Sequence, residues 1–202
     1  MAETLYKYIS LKNFKRFVDI IMNKRLYAAK YTELNDPMEG IYYHTPNFRR
    51  VLRDKIYEGK QNLRICSLSK EKDNLLMWSH YADGHKGIII GVQIEEPDKY
   101  EKNDIIYSGL KKIEEGKLNK KTAVEILSRK LISWKYEKEV RVFVKQDQPS
   151  LKPFINVYFV SITFGCRIKK EDETFIRELV ELKYNNIEFI NSSIELFDIR
   201  QE

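Results

Sequence analysis

Apolar positions change period along the chain, and each change marks an element. Residues 4–9 alternate with an aromatic bias, as a strand does, and Ser10 then stands where a helix N-cap belongs. Phe14, Phe17, Val18 and Ile21 recur at helical spacing through residues 11–22. A short strand at 25–29 leads into a loop at 31–40 built on Asn35, Asp36 and Pro37. Residues 48–57 predict a basic helix carrying Arg49, Arg50, Arg53 and Lys55. A strand at 65–68, a polar loop and a helical turn from Asn74 follow, with Met77, Trp78 and Tyr81 on one side of that turn. Gly84 and Gly87 permit a tight turn before the buried strand at 87–92.

Further along, the pattern predicts a polar loop at 95–103, a strand at 104–107 and a helix at 122–132 with Val124, Leu127 and Leu131 inward. The region around Gly116 between them reads as mobile. Read as a strand, residues 134–144 put Tyr136, Lys138, Val140, Val142 and Val144 on one face and Glu137, Glu139, Arg141 and Phe143 on the other. A strand at 156–164, a helix at 170–184 facing inward through Phe175, Leu179 and Leu182, and closing strands at 187–190 and 194–199 complete the chain. Short strands interspersed with helices predict an α+β single domain over 1–202, with a mixed or antiparallel split sheet and flanking helices rather than a doubly wound one.

Composition narrows this picture. A chain of 202 residues, 43% hydrophobic, can bury one sizeable core. It has no apolar run of about 18 residues, and Lys7, Lys12, Lys15, Arg16 and Asp19 break up its start, so neither a membrane span nor a leader is expected. Cys66 and Cys166 lie in apolar strand-like runs and read as buried reduced thiols, which predicts a cytoplasmic protein. The net charge of +6 permits attraction to polyanions, and residues 99–141 hold twelve Lys/Arg against seven Asp/Glu. A solvated lysine-rich face is the simpler account of that excess. Zinc spacing and phosphate-cradling glycine motifs are both missing, and no metal site is expected.

Chemistry-bearing side chains concentrate at two places. Trp78, His80, Tyr81, His85 and Lys86 form a polar aromatic corner suited to a flat, polar or charged ligand, although a helix end with core aromatics explains any one of them. Glu137, Glu139 and Arg141 share a strand face, where Arg141 can orient Glu139 through charge-assisted hydrogen bonds; exposed cross-paired charges are the plainer alternative.

The motifs L-Y-K-Y at 5–8, N-D-P-M-E at 35–39, L-M-W-S-H-Y-A-D-G-H-K-G at 76–87 and W-K-Y-E-K-E-V-R at 134–141 follow one another in that order. In them the chain resembles a large bacterial and phage family of unassigned function that includes abortive-infection proteins of the AbiG type. The order of motifs is also similar to that of the ADP-ribosyltransferase superfamily, whose late Glu-x-Glu is matched by Glu137-Lys138-Glu139. That resemblance implies an NAD-dependent transferase, with NAD as substrate, Glu139 as the catalytic carboxylate and Glu137 beside it. An anion against the ribose hydroxyls stabilises the oxocarbenium-like transition state of glycosidic cleavage. Trp78 or Tyr81 would stack the nicotinamide; Lys7, Tyr8 and His80 would hold ribose or phosphate; Asp36, Glu39, His85, Lys86 and Arg141 complete the implied cofactor-binding set. Lys7 departs from the His or Arg usual there, and lysine copies neither arginine's fork nor a neutral acceptor.

A protein or nucleic-acid acceptor and a role in phage defence or counter-defence are further implications. The alternative is a non-catalytic nucleotide- or protein-binding module of the same fold in phage–host conflict, with Glu139 as a structural partner of Arg141. A third reading, nucleic-acid binding by Arg49, Arg50, Arg53 and the lysines from Lys111 onward, rests on charge alone.

Overall fold

Alternation and helical periodicity find their elements in a computed structural model that describes residues 3–146 and 153–192. In chain order these are β1 (Leu5–Ile9), α1 (Phe14–Asn23), β2 (Arg25–Tyr27), β3 (Tyr42–His44), α2 (Arg50–Gln61), β4 (Leu63–Ser69), α3 (Leu75–Tyr81) and β5 (Ile88–Ile94). Then come β6 (Glu101–Asp104), β7 (Lys111–Ile113), α4 (Thr122–Leu127), β8 (Glu139–Lys145), β9 (Phe154–Phe164), α5 (Lys170–Glu181) and β10 (Glu188–Asn191). The protein is α+β with largely antiparallel pairing. The described residues pack as two compact units, one drawn from the segments Met1–Asn23, Lys72–Gln93 and Phe159–Glu202 and the other from Lys24–Glu71 and Ile94–Tyr158.

In the first unit the strand order is β10–β9–β5–β1. β1 and β5 run antiparallel with Tyr8 opposite Ile89, and β9 and β10 run parallel. Ser10 accepts the Lys12 N–H and opens a 3-10 turn ahead of α1, which buries Phe17, Ile20 and Ile21. Val18, expected in that stripe, is only half-buried, and Ile20 takes the inner position. α5 is likewise rotated from its expected stripe. Ile176 and Val180 are buried with Glu173, while Phe175 and Leu182 are exposed. Glu173 is drawn inward because Arg177 and Lys170 both bond its carboxylate. Gly87 admits no side chain, since a Cβ there would lie 2.2 Å from the Ile9 carbonyl oxygen.

In the second unit β8 is central, antiparallel to β4 on one side and β6 on the other. β6 occupies residues expected as loop, because its backbone completes the far edge of β8. β3 and β7, which alternation did not reveal at three residues each, pair in parallel over the buried cluster Phe48, Ile56, Ile113 and Ile126. A 3-10 turn at Glu115–Lys117 occupies the Gly116 region. α4 stops at Leu127, well short of the expected end. Ser128 donates back to the Val124 carbonyl at 2.8 Å, and the chain then extends to bond Ile106 in both directions. Leu131 is consequently at the surface.

Three further expectations change. Residues 132–137 form a 3-10 turn rather than the first half of a strand, ended by Lys138 in the left-handed region at φ 41°. Cys66 is buried but Cys166 is exposed, because it follows the end of β9. The strand expected at 194–199 lies outside the described residues. Among the described residues no helix is long and apolar enough to cross a membrane.

Candidate functional site

The four sequence motifs pair off, two in each unit. In the second unit, N-D-P-M-E and W-K-Y-E-K-E-V-R meet through Glu39 and Arg141. β8 directs Glu139 and Arg141 to the same side, and Arg141 is fully buried. Its Nε donates to Glu139 Oε1 at 2.8 Å and its Nη2 to Glu139 Oε2 at 3.3 Å. Its Nη1 donates to Glu39 Oε2 at 2.8 Å and to the Leu127 carbonyl at 2.6 Å, and Nη2 also bonds Glu39 Oε1. All five guanidinium N–H groups are thereby used.

Lys130, which the sequence did not single out, completes the cluster. Its ammonium lies 2.6 Å from Glu137, 2.8 Å from Glu139 and 3.8 Å from Glu39, with the Trp134 ring 5.3 Å away. The early end of α4 is what delivers it, since a helix running to residue 132 would have carried Lys130 elsewhere. Glu137 arrives from the 3-10 turn rather than from the strand face. Its backbone carbonyl accepts the Ser69 hydroxyl at 2.6 Å, and the Tyr107 hydroxyl accepts the Glu139 N–H at 2.7 Å. The expected exposed strand face is therefore a buried network of three carboxylates and two cations.

Burial works to raise the Glu139 pKa, but Arg141 and Lys130 outweigh it and hold the carboxyl down at about 2. Glu39 goes the other way, because burial outweighs its bonds to Arg141 and raises it. Burial also opposes the charge on Lys130, yet the nearby carboxylates, led by Glu139, raise its pKa. Tyr107, buried beside Glu139 and Glu137, is pushed up to about 12. Asp36 is buried as a turn residue, its Oδ1 accepting the Met38 N–H at 2.9 Å. Glu39, expected in the cofactor-binding set, bonds Arg141 instead.

In the first unit, L-Y-K-Y and L-M-W-S-H-Y-A-D-G-H-K-G meet through Tyr8. Asn74 caps α3, accepting from Leu76 and Met77 N–H, and its own N–H donates to the Tyr8 hydroxyl at 3.2 Å. Trp78 is 1% exposed, with Tyr8 edge-on at 5.6 Å and His85 stacked at 5.8 Å and 16°. Stacking by a ligand in this conformation falls to Tyr81 and the exposed His80, which meet edge-on at 6.2 Å. Lys7 is half-buried in β1 opposite Ile90, and Lys86 is exposed.

Two features of this corner are unusual. Trp78 Nε1 and His85 Nδ1 are both buried without a hydrogen-bond partner. Asp83, Gly84 and His85 are successive left-handed residues, at φ 53°, 59° and 68°. Left-handed backbone is costly for residues with a side chain, and short runs of it persist where surrounding contacts enforce them. Here the run is closed by Gly87 N–H bonding the Ala82 carbonyl at 2.8 Å and Arg167 N–H bonding the His85 carbonyl at 3.0 Å.

The expected site residues thus fall into a buried ionic set (Glu39, Glu137, Glu139, Arg141) and an aromatic set (Tyr8, Trp78, His85) in which Trp78 Nε1 and His85 Nδ1 lack partners, with His80, Tyr81, Lys7 and Lys86 at its periphery. Among the described residues no group of three or more His, Cys, Asp or Glu is arranged to hold a metal ion. Compared with protein-family models, with curated proteins and with solved structures, the chain matched none.

Proposed function

We propose that the protein is a non-catalytic nucleotide-binding module of ADP-ribosyltransferase-like fold, acting in phage–host conflict, with its ligand at the aromatic corner. The observation that carries this reading is the burial of Glu139 between Arg141 and Lys130. Both of its oxygens are held by Arg141 and Lys130 in a site 5% exposed. A carboxylate that serves a ribose hydroxyl must be free to accept from it, and freeing Glu139 would leave Arg141 and Lys130 short of a buried anion. Glu139 then serves as the structural partner of Arg141.

The corner, by contrast, keeps a strained turn and two buried nitrogens without partners beside the more accessible Tyr81 and His80, which supports a ligand site there. A nucleobase offers a flat face for Tyr81 and His80.

The test is a thermal-shift and calorimetric screen of NAD, ADP-ribose, ATP and cyclic dinucleotides, run beside a nicotinamide-release assay with bacterial lysate as acceptor. The expected result is one nucleotide that raises the melting temperature, an effect weakened at least tenfold in Tyr81→Ala, with no nicotinamide released. Release by the wild type that disappears in a folded Glu139→Gln protein would overturn the reading in favour of a transferase.

A further inference from the structure

The second unit gathers the two basic segments that are separate in sequence. Residues 42–61 and 111–127 hold ten Lys/Arg against five Asp/Glu, so five of the chain's six net positive charges lie in these two stretches. β3 pairs with β7, placing Tyr43 opposite Lys112. α2 meets α4 at Gly59, where a Cβ would lie 3.2 Å from that of Ala123. The inner side of this assembly is the Phe48, Ile56, Ile113 and Ile126 cluster with Tyr42 packed against it. On the outer side of the ribbon Tyr43 is 62% exposed next to the exposed Lys112.

α2 presents a second stripe of the same chemistry. Arg50, Arg53 and Tyr57 follow one another at i, i+3 and i+7, and all three are exposed. Some cations here are partnered: Arg49 with Glu115, Arg50 with Asp54 at 3.9 Å, and Lys111 with Glu125. Arg53, Lys55, Lys112, Lys120 and Lys121 make no ion pair among the described residues, although acidic residues are close in sequence. Helix stability does not account for them either. Lys120 and Lys121 precede α4, where positive charge opposes the helix dipole.

We infer that this α2–β3–β7 surface binds single-stranded nucleic acid, with the unpaired lysines and Arg53 on phosphates and Tyr43 and Tyr57 stacking bases. Unstacked bases offer the π-faces that exposed tyrosines take up, and a duplex hides them. Released counterions would supply the salt-dependent part of the affinity. The surface is independent of the nucleotide corner, which belongs to the other unit.

The experiment is fluorescence anisotropy with labelled oligo-dT and oligo-U of twenty nucleotides, a duplex of the same length and labelled poly-glutamate, each titrated over a range of salt. Single strands are expected to bind with a negative slope of log affinity against log salt. The triple variant Lys112→Ala, Lys120→Ala, Lys121→Ala should flatten that slope by roughly 2. Tyr43→Ala should weaken binding about tenfold with the slope unchanged, since stacking carries no counterions. All four side chains are exposed, so circular dichroism should find the variants folded. Equal binding of poly-glutamate, duplex preferred over single strand, or an unaltered affinity in Tyr43→Ala would overturn the inference. The oligo-dT and oligo-U arms separate DNA from RNA as the source of the strand.

Discussion

Arg141 is fully buried and uses all five of its N–H groups, whereas Trp78, buried almost as deeply, leaves its one N–H without an acceptor. Both lie within motifs that mark the chain, yet they follow opposite rules. The Arg141 cluster is closed: each charge answers another, and the local backbone, from the early end of α4 to the left-handed Lys138, is shaped to bring the partners in. Around Trp78 the backbone is strained and two nitrogens are unanswered. A closed polar network contributes to one specific packing, while an open one costs stability unless something else is gained. That contrast is why we place architecture at Glu139 and binding at the corner.

The sharpest way to break the comparison is to remove the centre of the closed network. Arg141→Met leaves Glu39 and Glu139 buried with only Lys130 between three carboxylates, and should destabilise the protein by about 3–5 kcal/mol in urea unfolding. A cost below about 1 kcal/mol would mean that the cluster is open to water and that Glu139 is available for chemistry after all.

Acid tests the same network more gently. Glu139 titrates at about 2 when folded, below its unfolded value, so its contribution is present above the unfolded pKa and is lost as pH falls through the folded one. The depression corresponds to at most about 3 kcal/mol. Glu39, raised by burial, contributes with the opposite sign, and its share is lost as pH rises through its folded value. Urea midpoints should therefore fall as pH drops below the unfolded carboxylate range toward about 2, where the Glu139 share is lost. A flat profile across that range would leave Glu139 without its strong partners.

These partners were only half legible in the sequence. Alternation places Glu139 and Arg141 on one strand face, and the structure keeps them there. Burial of that face was not legible, because a charged face on a strand normally looks outward and only the distant Glu39 makes this one tolerable inside. Lys130 carried no signal at all: helical periodicity ran through it, and a single serine back-bond redirects it. The corner was more readable, since glycines and histidines gathered there and a helical turn from Asn74 was evident, although the cap falls on Asn74 itself rather than in the polar loop before it. What could not be read was that Trp78 would be sealed by Tyr8 and His85 rather than offered to a ligand. Aromatic spacing gives the side a ring faces, not what covers it.

The smallest effect we expect is the most discriminating. His85 sits at φ 68°, where glycine is at ease and histidine is not, so His85→Gly relieves strain of about 1–2 kcal/mol and removes an unpartnered buried nitrogen. Against this stand the lost stack on Trp78, about 0.5–1.5 kcal/mol, and the greater unfolded-state freedom of glycine, about 0.5–1 kcal/mol. The terms nearly cancel, so urea unfolding should detect a change within about 1 kcal/mol. A residue that only held the fold together would not be so easily dispensed with. If His85→Gly leaves stability in that range but abolishes the nucleotide-induced thermal shift, the strained turn is retained for binding. If it costs more than about 2 kcal/mol, His85 is architecture as Arg141 is, and the difference between the two regions disappears.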